Sequence, residues 1–563
     1  MKKYLFIALV AFLAVTSASA QLRIKMGKNS PIEKLGRAEI AITNLYVDSV
    51  DENKLVEDAI RGMLEKLDPH SSYATAKETK AMNEPLNGSF DGIGVQFNMV
   101  DDTLLVIQPV TNGPSEKVGI IAGDRIVAVN DTAISGVKMS KEEIMKRLRG
   151  PKGTTVNLTI VRRGIKDKLI FKVKRDKIPV TTMDAAYMIR PGIGYIRLGS
   201  FGLTSHKEVT IAMDSLKKKG MKDLIFDLED NGGGYLQAAA QIANEFLQKG
   251  DLIVYTSGRA APRQEYKAQA NGRWRKGKVV VLTNEFTASA AEIVSGAIQD
   301  QDRGVVVGRR TFGKGLVQRP LTFDDGSEIR LTIAHYYTPS GRCIQKPYTL
   351  GDDKDYEQDL LDRYQHGEFF SQDSIKHTGP AYHTGNGRVV YGGGGITPDI
   401  FVPEDTLGMT SYFKEASLSG LILQFAFTYT DDNRPKLNNF KEMMELADYL
   451  DSQDMVEKFA SYADKRGLKR RNLLIKKSHK LLDRVIDSRI IYNMLDEQAW
   501  TQYINLDDPV IKKTLDVFEN HAAFPKKPEP AKKGAAKKEK IAMANTPYNY
   551  SSLHHNNCMI ANA

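Results

Sequence analysis

Two cysteines in 563 residues, Cys343 and Cys558, cannot build a disulfide framework, and both are expected as thiols. The ten histidines are scattered, and neither HExxH nor a paired CxxC occurs, so no metal set is read and no cofactor is implied. Beyond residue 20 no segment approaches the ~18 uninterrupted apolar residues of a membrane span. Excess charge is also scarcer than it looks. The formal net charge is +10, but residues 525–540 hold seven Lys and two Glu and so carry +5 of it. The rest is close to neutral and gives no reason to expect a nucleic-acid partner. The basic stretch reads as a solvated linker, with an anionic surface as the lesser reading.

What is present is a multidomain globular composition, 41% hydrophobic and 26% charged. Residues 1–20 have the layout of a secretory signal peptide. Lys2 and Lys3 precede the apolar run Tyr4–Val15, and Ala18-Ser19-Ala20 offers a cleavage site before Gln21. No Cys follows that site, which argues against a lipid anchor, and the mature protein is expected to be exported. Residues 21–85 read as a helical segment, with Leu35, Ala38, Ile42 and Leu45 on one face and Leu55, Ala59, Ile60, Met63, Leu64 and Leu67 on another. Residues 86–178 read as a small β-rich module with one helix from Ser140 to Leu148. In that module an Arg125–Asp124 surface pair is the plain reading of Arg125.

Residues 179–405 read as an α/β core. A strand at Asp223–Leu228 runs into Asn231-Gly232-Gly233-Gly234 and then a helix from Tyr235 to Leu247. Such a strand, glycine turn and helix can aim backbone N–H groups at an oxyanion. The stretch from Val279 to Gln318 organises the rest. Two β-branched runs, Val279–Leu282 and Val305–Val307, bracket a helix in which Ala290, Ile293, Val294 and Ala297 recur at helical spacing. Ser289 stands at the N-terminus of that helix, where free N–H groups and the dipole favour negative charge. Gly308 to Lys314 has the spacing of a phosphate loop, but Gly315 replaces the hydroxyl residue and Pro320 opposes a following helix, so a nucleotide is not expected. Residues 343–390 read as a long polar insertion, residues 406–524 as a helical C-terminal domain, and residues 525–563 as a basic linker with a disordered tail. That tail ends in the small, apolar Met559–Ala563.

Several ordered motifs together resemble the tail-specific, or C-terminal processing, serine peptidases, over roughly residues 35 to 405. They are T-A-S-A-A-E-I around Ser289, T-F-G-K-G-L-V-Q ending at Gln318, Y-Y-T-P-S-G-R at 336–342, D-P-H-S at 68–71 and G-G-I-T-P-D at 394–399. The β-rich module resembles a PDZ domain. The resemblance implies a crotonase- or ClpP-like α/β core with an inserted-type PDZ domain. It implies Ser289 as nucleophile, Lys314 as general base and Gln318 as orienting group. Gly233 and Ala290 N–H take the oxyanion positions, although the family pattern is Asn-Pro-Gly-Gly and this chain has Gly232 in place of Pro. Gly92-Ile93-Gly94-Val95 matches the loop that holds a peptide's C-terminal carboxylate. The implied partners are protein substrates with apolar C-terminal tails. An adaptor or activator protein and self-association stay open. The implied place of work is the periplasm or the extracytoplasmic side of the envelope.

The chemistry sets a condition on Lys314. A charged ammonium cannot take a proton, and an unperturbed lysine near pH 10.4 must fall by ~3 units, worth ~4 kcal/mol, to be largely neutral at pH 7. Burial supplies shifts of that size. A neutral Gln318 can orient the amine without restoring its charge, whereas a carboxylate there would raise its pKa. His70 and His335 are the other basic candidates, and each reads more simply as structural. The competing functional reading is a catalytically silent scaffold that binds partners through the PDZ module.

Overall fold

A computed structural model describes residues 30–525, apart from 101, 378, 521 and 522. The stretches read as a signal peptide and as a basic linker and tail lie outside the described residues, apart from Pro525, as does Cys558. The described chain divides after Leu67. The first unit holds α1 (Pro31–Leu45) and α2 (Glu52–Leu64), started by Ser30 and Asp51, whose side chains accept from the N–H of Glu33 and Lys54.

The second unit opens with β1 (Ser72–Ala74) and α3 (Ala76–Asn83). β1 interrupts the stretch read as helical because Asp68 folds the chain first: its Oδ1 accepts from the N–H of His70 at 3.0 Å and of Ser71 at 3.1 Å. The PDZ module follows. β2 (Ser89–Gly92) and β9 (Asp176–Pro179) pair antiparallel and close it at one point. Between them lie β3 (Val95–Val100), β4 (Thr103–Pro109), α4 (Pro114–Lys117), β5 (Arg125–Val129), β6 (Thr132–Ala133), α5 (Lys141–Leu148), β7 (Thr155–Val161) and β8 (Leu169–Lys174). The sheet order is β3-β4-β5-β7-β8, with β6 on β5. Alternate residues Val156, Leu158 and Ile160 turn inward onto Ile144 and Leu148 of α5.

The peptidase-like core has two sheets. Its elements are β10 (Met183–Arg190), β11 (Ile193–Leu198), α6 (Ser205–Lys218), β12 (Asp223–Asp227), α7 (Leu236–Asn244), β13 (Leu252–Ser257), β14 (Gln264–Lys267), β15 (Val279–Thr283), α8 (Ala290–Asp300), β16 (Val305–Gly308), β17 (Leu316–Thr322), β18 (Glu328–Tyr337), α9 (Lys354–Gln365), β19 (Ala381–His383), β20 (Val389–Tyr391) and β21 (Ile400–Phe401). One sheet runs β10-β11-β12-β15-β16-β21 and is parallel except for β10. The other runs β1-β18-β13-β14, with β17 hairpinned to β18. β1 precedes the PDZ module yet pairs with β18, so the module is an insertion in the peptidase core. α7 ends at Asn244, three residues short of the expected helix end at Leu247. All eleven residues of α8 are buried, including the polar Glu292, Ser295, Gln299 and Asp300.

A helical region follows: α10 (Ser411–Leu418), α11 (Leu421–Leu437), α12 (Met443–Asp451), α13 (Met455–Lys465), α14 (Asn472–Met494), α15 (Glu497–Asn505) and α16 (Pro509–Asn520). α14 is its axis, burying Leu482, Ile486, Ile490 and Ile491. α16 leaves this bundle and covers the core sheet, where Val510, Ile511, Val517 and Phe518 meet Val280, Leu282, Val305 and Val307. Period two explains the division of β15: Val279 and Val281 face the helix layer, Val280 and Leu282 face α16.

Two expectations are corrected. Arg125 does not pair with Asp124. It reaches Asp431 of α11 at 2.5 Å, while the buried Asp124 is gripped by Arg162 at 2.7 Å. Sequence neighbours on a strand point to opposite faces, so the adjacent carboxylate is the wrong partner. Residues 343–390 are not a solvated insertion. Tyr356 and Arg363 of α9 are buried, and Glu368 accepts from both Arg310 and Arg363 at 2.7–2.9 Å. Among the described residues no helix is long and apolar enough to cross a membrane.

Candidate active site

Ser289 is the N-cap of α8 and sits at φ 56°, ψ −115°. A positive φ is costly for a residue with a Cβ, so the surrounding structure must hold it. The hold comes from Glu292, one turn into α8. Its Oε2 accepts from Ser289 N–H at 2.8 Å and from Lys314 N–H at 2.9 Å. Its Oε1 accepts from Thr311 Oγ1 at 2.5 Å and Gly313 N–H at 2.8 Å. One fully buried carboxylate therefore fastens the serine elbow to the lysine loop. Burial pushes the Glu292 carboxyl up to about 7, against the pull of those four donors. On the carbonyl side the Tyr336 hydroxyl lies within hydrogen-bond reach of both Ser289 C=O, at 3.0 Å, and Lys314 C=O. Residues 289 and 314 are thus tied through their N–H groups by one side chain and through their carbonyls by another.

Lys314 is half-buried. Desolvation, then the Arg330 guanidinium, lowers its pKa from the usual lysine value, with Glu292 and Asp68 opposing. Its Nζ lies 3.5 Å from Gln318 Oε1. The Gln318 amide donates in turn to the carbonyl of His70. The D-P-H-S turn thereby sets the orientation of Gln318, and Asp68 locks the turn onto β18 through Ser71 Oγ at 2.6 Å and Thr332 Oγ1 at 2.8 Å. His70 Nε2 meets Tyr356 OH at 2.8 Å. Burial first and Lys314 second lower the His70 pKa to about 4, so the ring is neutral at pH 7. His335 lies opposite Leu316 in the β17–β18 ladder, and burial lowers its pKa as well.

Ser289 and Ala290 open onto a cleft of about 310 Å³, walled by Leu86, Ile293, Leu316, Val317 and Tyr336, with Gln318 and Arg330 at its polar side. The 231–234 turn reaches the cleft at Gly234, which lines it together with Tyr235 and Leu236. Gly233, at φ 99°, packs so closely that a Cβ would stand 2.8 Å from Ser289 Cβ and 2.9 Å from Ala290 N. Only glycine fits there. Ala290 is the first residue of α8, so its N–H is one of the helix's unmet donors. The Gly233 N–H donates to Asn231 Oδ1 at 2.9 Å, and Gly234 lines the cleft beside it.

A second groove, of about 390 Å³, lies in the PDZ module. Gly92, Ile93, Gly94 and Val95 form one end, and Phe97, Ile107 and Met145 are among its apolar walls. Gly94 has φ 70°, and its carbonyl accepts from Val110 N–H at 3.0 Å. The Ile93 carbonyl accepts from Ser115 N–H and Oγ. Both carbonyls are thus paired within the module. Tyr492 of α14 also lines this groove, so the helical region borders it.

The sequence pointed to Ser289, Lys314 and Gln318 but not to what fixes them. Glu292 lay inside a quoted motif without a role, and Tyr336, Asp68 and Tyr356 had none either. A glutamate one turn into a helix whose next turn is apolar was the available signal, since a buried carboxylate needs several donors.

Comparison with known proteins places the domains in families. A model of peptidase family S41 matches residues 192–357, a PDZ domain model residues 92–174, and an activating protease CtpB N-terminal domain model residues 10–79. A family of unknown function matches residues 412–496. The chain is 37% identical over 340 residues to the carboxy-terminal processing protease CtpA of Bacillus subtilis, covering 60% of this chain and 72% of that one. It is 34% identical over 361 residues to a carboxy-terminal-processing protease of Bartonella bacilliformis, covering 63% and 82%. Among solved structures it is similar to a photosystem II D1 C-terminal processing protease, at 30% identity and TM-score 0.32, covering 55% and 89%.

Proposed function

The chain belongs to peptidase family S41, among the carboxy-terminal processing serine proteases, and from that premise we propose that it is an exported endopeptidase working with a Ser289–Lys314 dyad. The observation that carries this reading is the shared fastening of residues 289 and 314 by Glu292, beside a half-buried lysine of lowered pKa. Neutral Lys314 takes the Ser289 proton as Oγ adds to the scissile carbonyl. The resulting ammonium then protonates the leaving amine. Water repeats the cycle on the acyl-enzyme, with Lys314 again as base. Gln318 holds the amine without a charge that would keep it protonated.

The tetrahedral oxyanion sits against Ala290 N–H and the 231–234 turn, where each donor is worth ~3 kcal/mol in the transition state. Gly233 serves if substrate displaces Asn231 Oδ1 from its N–H; Gly234 N–H, on the cleft wall, serves otherwise. No metal or cofactor enters this chemistry. Substrates are proteins with apolar C-terminal tails, whose carboxylate docks at Gly92–Val95 of the PDZ groove while an upstream segment enters the cleft. The apolar walls of both grooves support apolar residues at both places. An exported enzyme would meet these substrates in the periplasm or on the extracytoplasmic side of the cell envelope, and the match to an activating protease's N-terminal domain supports an adaptor or activator as a further partner.

The test is cleavage by residues 21–563 of a loosely folded protein bearing an apolar tail, beside the same protein with an acidic tail. Tail-dependent cleavage that disappears in both Ser289→Ala and Lys314→Ala is expected. Tail binding without cleavage by the wild type would instead support the scaffold reading.

A further inference from the structure

The helical region contains a group of side chains that the peptidase chemistry does not use. Asp451 ends α12, and Asp483 and Asp487 stand one turn apart on the facing side of α14. One carboxylate oxygen from each lies within 4.8 Å of the others. Asp451 is exposed, Asp483 half-buried and Asp487 0% exposed, so the three form a path from solvent into the bundle. Neither oxygen of Asp487 accepts a hydrogen bond among the described residues. A buried carboxylate without a donor is rare, because its desolvation goes uncompensated. Its nearest charged company makes matters worse, since Asp483 and Asp451 both add repulsion. His479 is the one group acting on Asp483 with opposite sign, with Asp454 adding to the negative side.

We propose that Asp451, Asp483 and Asp487 bind one Ca²⁺ ion that fastens α12 to α14. Three carboxylates with no thiolate select a hard cation. The three oxygens lie within 4.8 Å of one another, so one ion at Ca–O distances of about 2.4 Å can reach all three, and a site open to solvent on one side suits the flexible shell of Ca²⁺ better than the strict octahedron of Mg²⁺. The open side at Asp451 admits the water that completes a six- to eight-oxygen shell. The residues lie within 412–496, the segment matched by a family of unknown function. α14 also carries Tyr492 to the PDZ groove, so the ion stiffens the helix that borders it. The cluster joins residues 32 and 36 positions apart in sequence, which is why no motif announced it.

The experiment uses the full chain carrying Ser289→Ala, stripped with chelator and titrated with CaCl₂ by calorimetry and thermal melting. One Ca²⁺ per chain is expected, with 1 mM Ca²⁺ raising Tm by roughly 3 °C. Asp487→Asn should remove the binding heat and the shift, yet melt no lower than the calcium-free parent, because it replaces a buried acidic group that has no hydrogen-bond partner with a neutral one of the same shape. Asp483→Asn should weaken binding at least tenfold. Tb³⁺ offers a second readout, because Tyr503, electrostatically coupled to all three carboxylates, should sensitise its emission, and Tyr503→Phe should dim it without loss of binding. Absence of both heat and shift in the parent would overturn the proposal, as would a calcium response that persists in both Asp variants. Equal affinity for Mg²⁺ would overturn the choice of ion.

Discussion

The catalytic cleft and the PDZ groove are built by opposite means. Both begin at a glycine turn and both are walled by apolar side chains. In the cleft, however, the reacting residues are fixed by buried polar groups: Glu292 takes four donors, Tyr336 spans two carbonyls, and Asp68 locks the turn that holds Gln318. The groove has main-chain carbonyls turned inward and walls that are mostly apolar, with directional side-chain bonds at its rim, from Gln108 to Gln96 and from Arg149 to Glu84. Chemistry needs atoms held to a fraction of an ångström, and directional bonds in a dry site supply that. Recognition of a tail needs a sheet edge, a few N–H groups and apolar volume.

Substitutions should separate the two. The largest effect is expected at Lys314: Ala or Arg there should lower kcat by roughly 10⁴-fold or more on every substrate, tailed or not, because neither supplies a neutral base. Rates on a short untailed peptide and on a tailed protein should fall together.

Glu292→Gln comes next. An amide nitrogen in place of one oxygen faces two N–H or O–H donors, so kcat should drop about 100-fold and stability by ~3 kcal/mol, read by kinetics and denaturant melts. The pH sign is distinctive. Because the folded pKa, about 7, lies above the ordinary glutamate value of 4.5, the folded state holds the proton more tightly, and stability should fall as pH rises between those values. Activity should rise over the same window, since the four donors require the ionised form. Glu292→Gln should erase the stability slope.

Gln318→Glu sharpens the electrostatic half of the comparison. A carboxylate beside Lys314 Nζ should raise the lysine pKa and move the rising limb of the pH–rate profile alkaline by about 1–2 units. The smallest effect belongs to the groove. Met145→Glu should raise KM for the tailed protein about tenfold, roughly 1.4 kcal/mol, while kcat on an untailed peptide stays unchanged.

The elements that carry the site were legible where pattern suffices. β-branched runs gave β15 and β16, and helical spacing gave α8. The residues that position the site were not, because periodicity reports which face is buried and not what it meets. The positive φ of Ser289, the role of Glu292 and the Tyr356–His70 contact depend on segments 22 to 286 residues apart. Arg125 shows the same limit: its partner is 306 residues away, and the adjacent aspartate misleads. α16 reads as one more amphipathic helix, and only the fold shows that its apolar face belongs to the core sheet.

The most direct test of the Ser289–Lys314 account is the rate of covalent labelling of Ser289 by a fluorophosphonate as a function of pH, read by intact mass, in the wild type and in Lys314→Ala. Labelling confined to Ser289, rising with pH at a midpoint below the ordinary lysine range and falling to background in Lys314→Ala, is the expected result. Labelling that keeps the same rate and pH profile without Lys314 would contradict it and turn attention to His70 or His335 as the base.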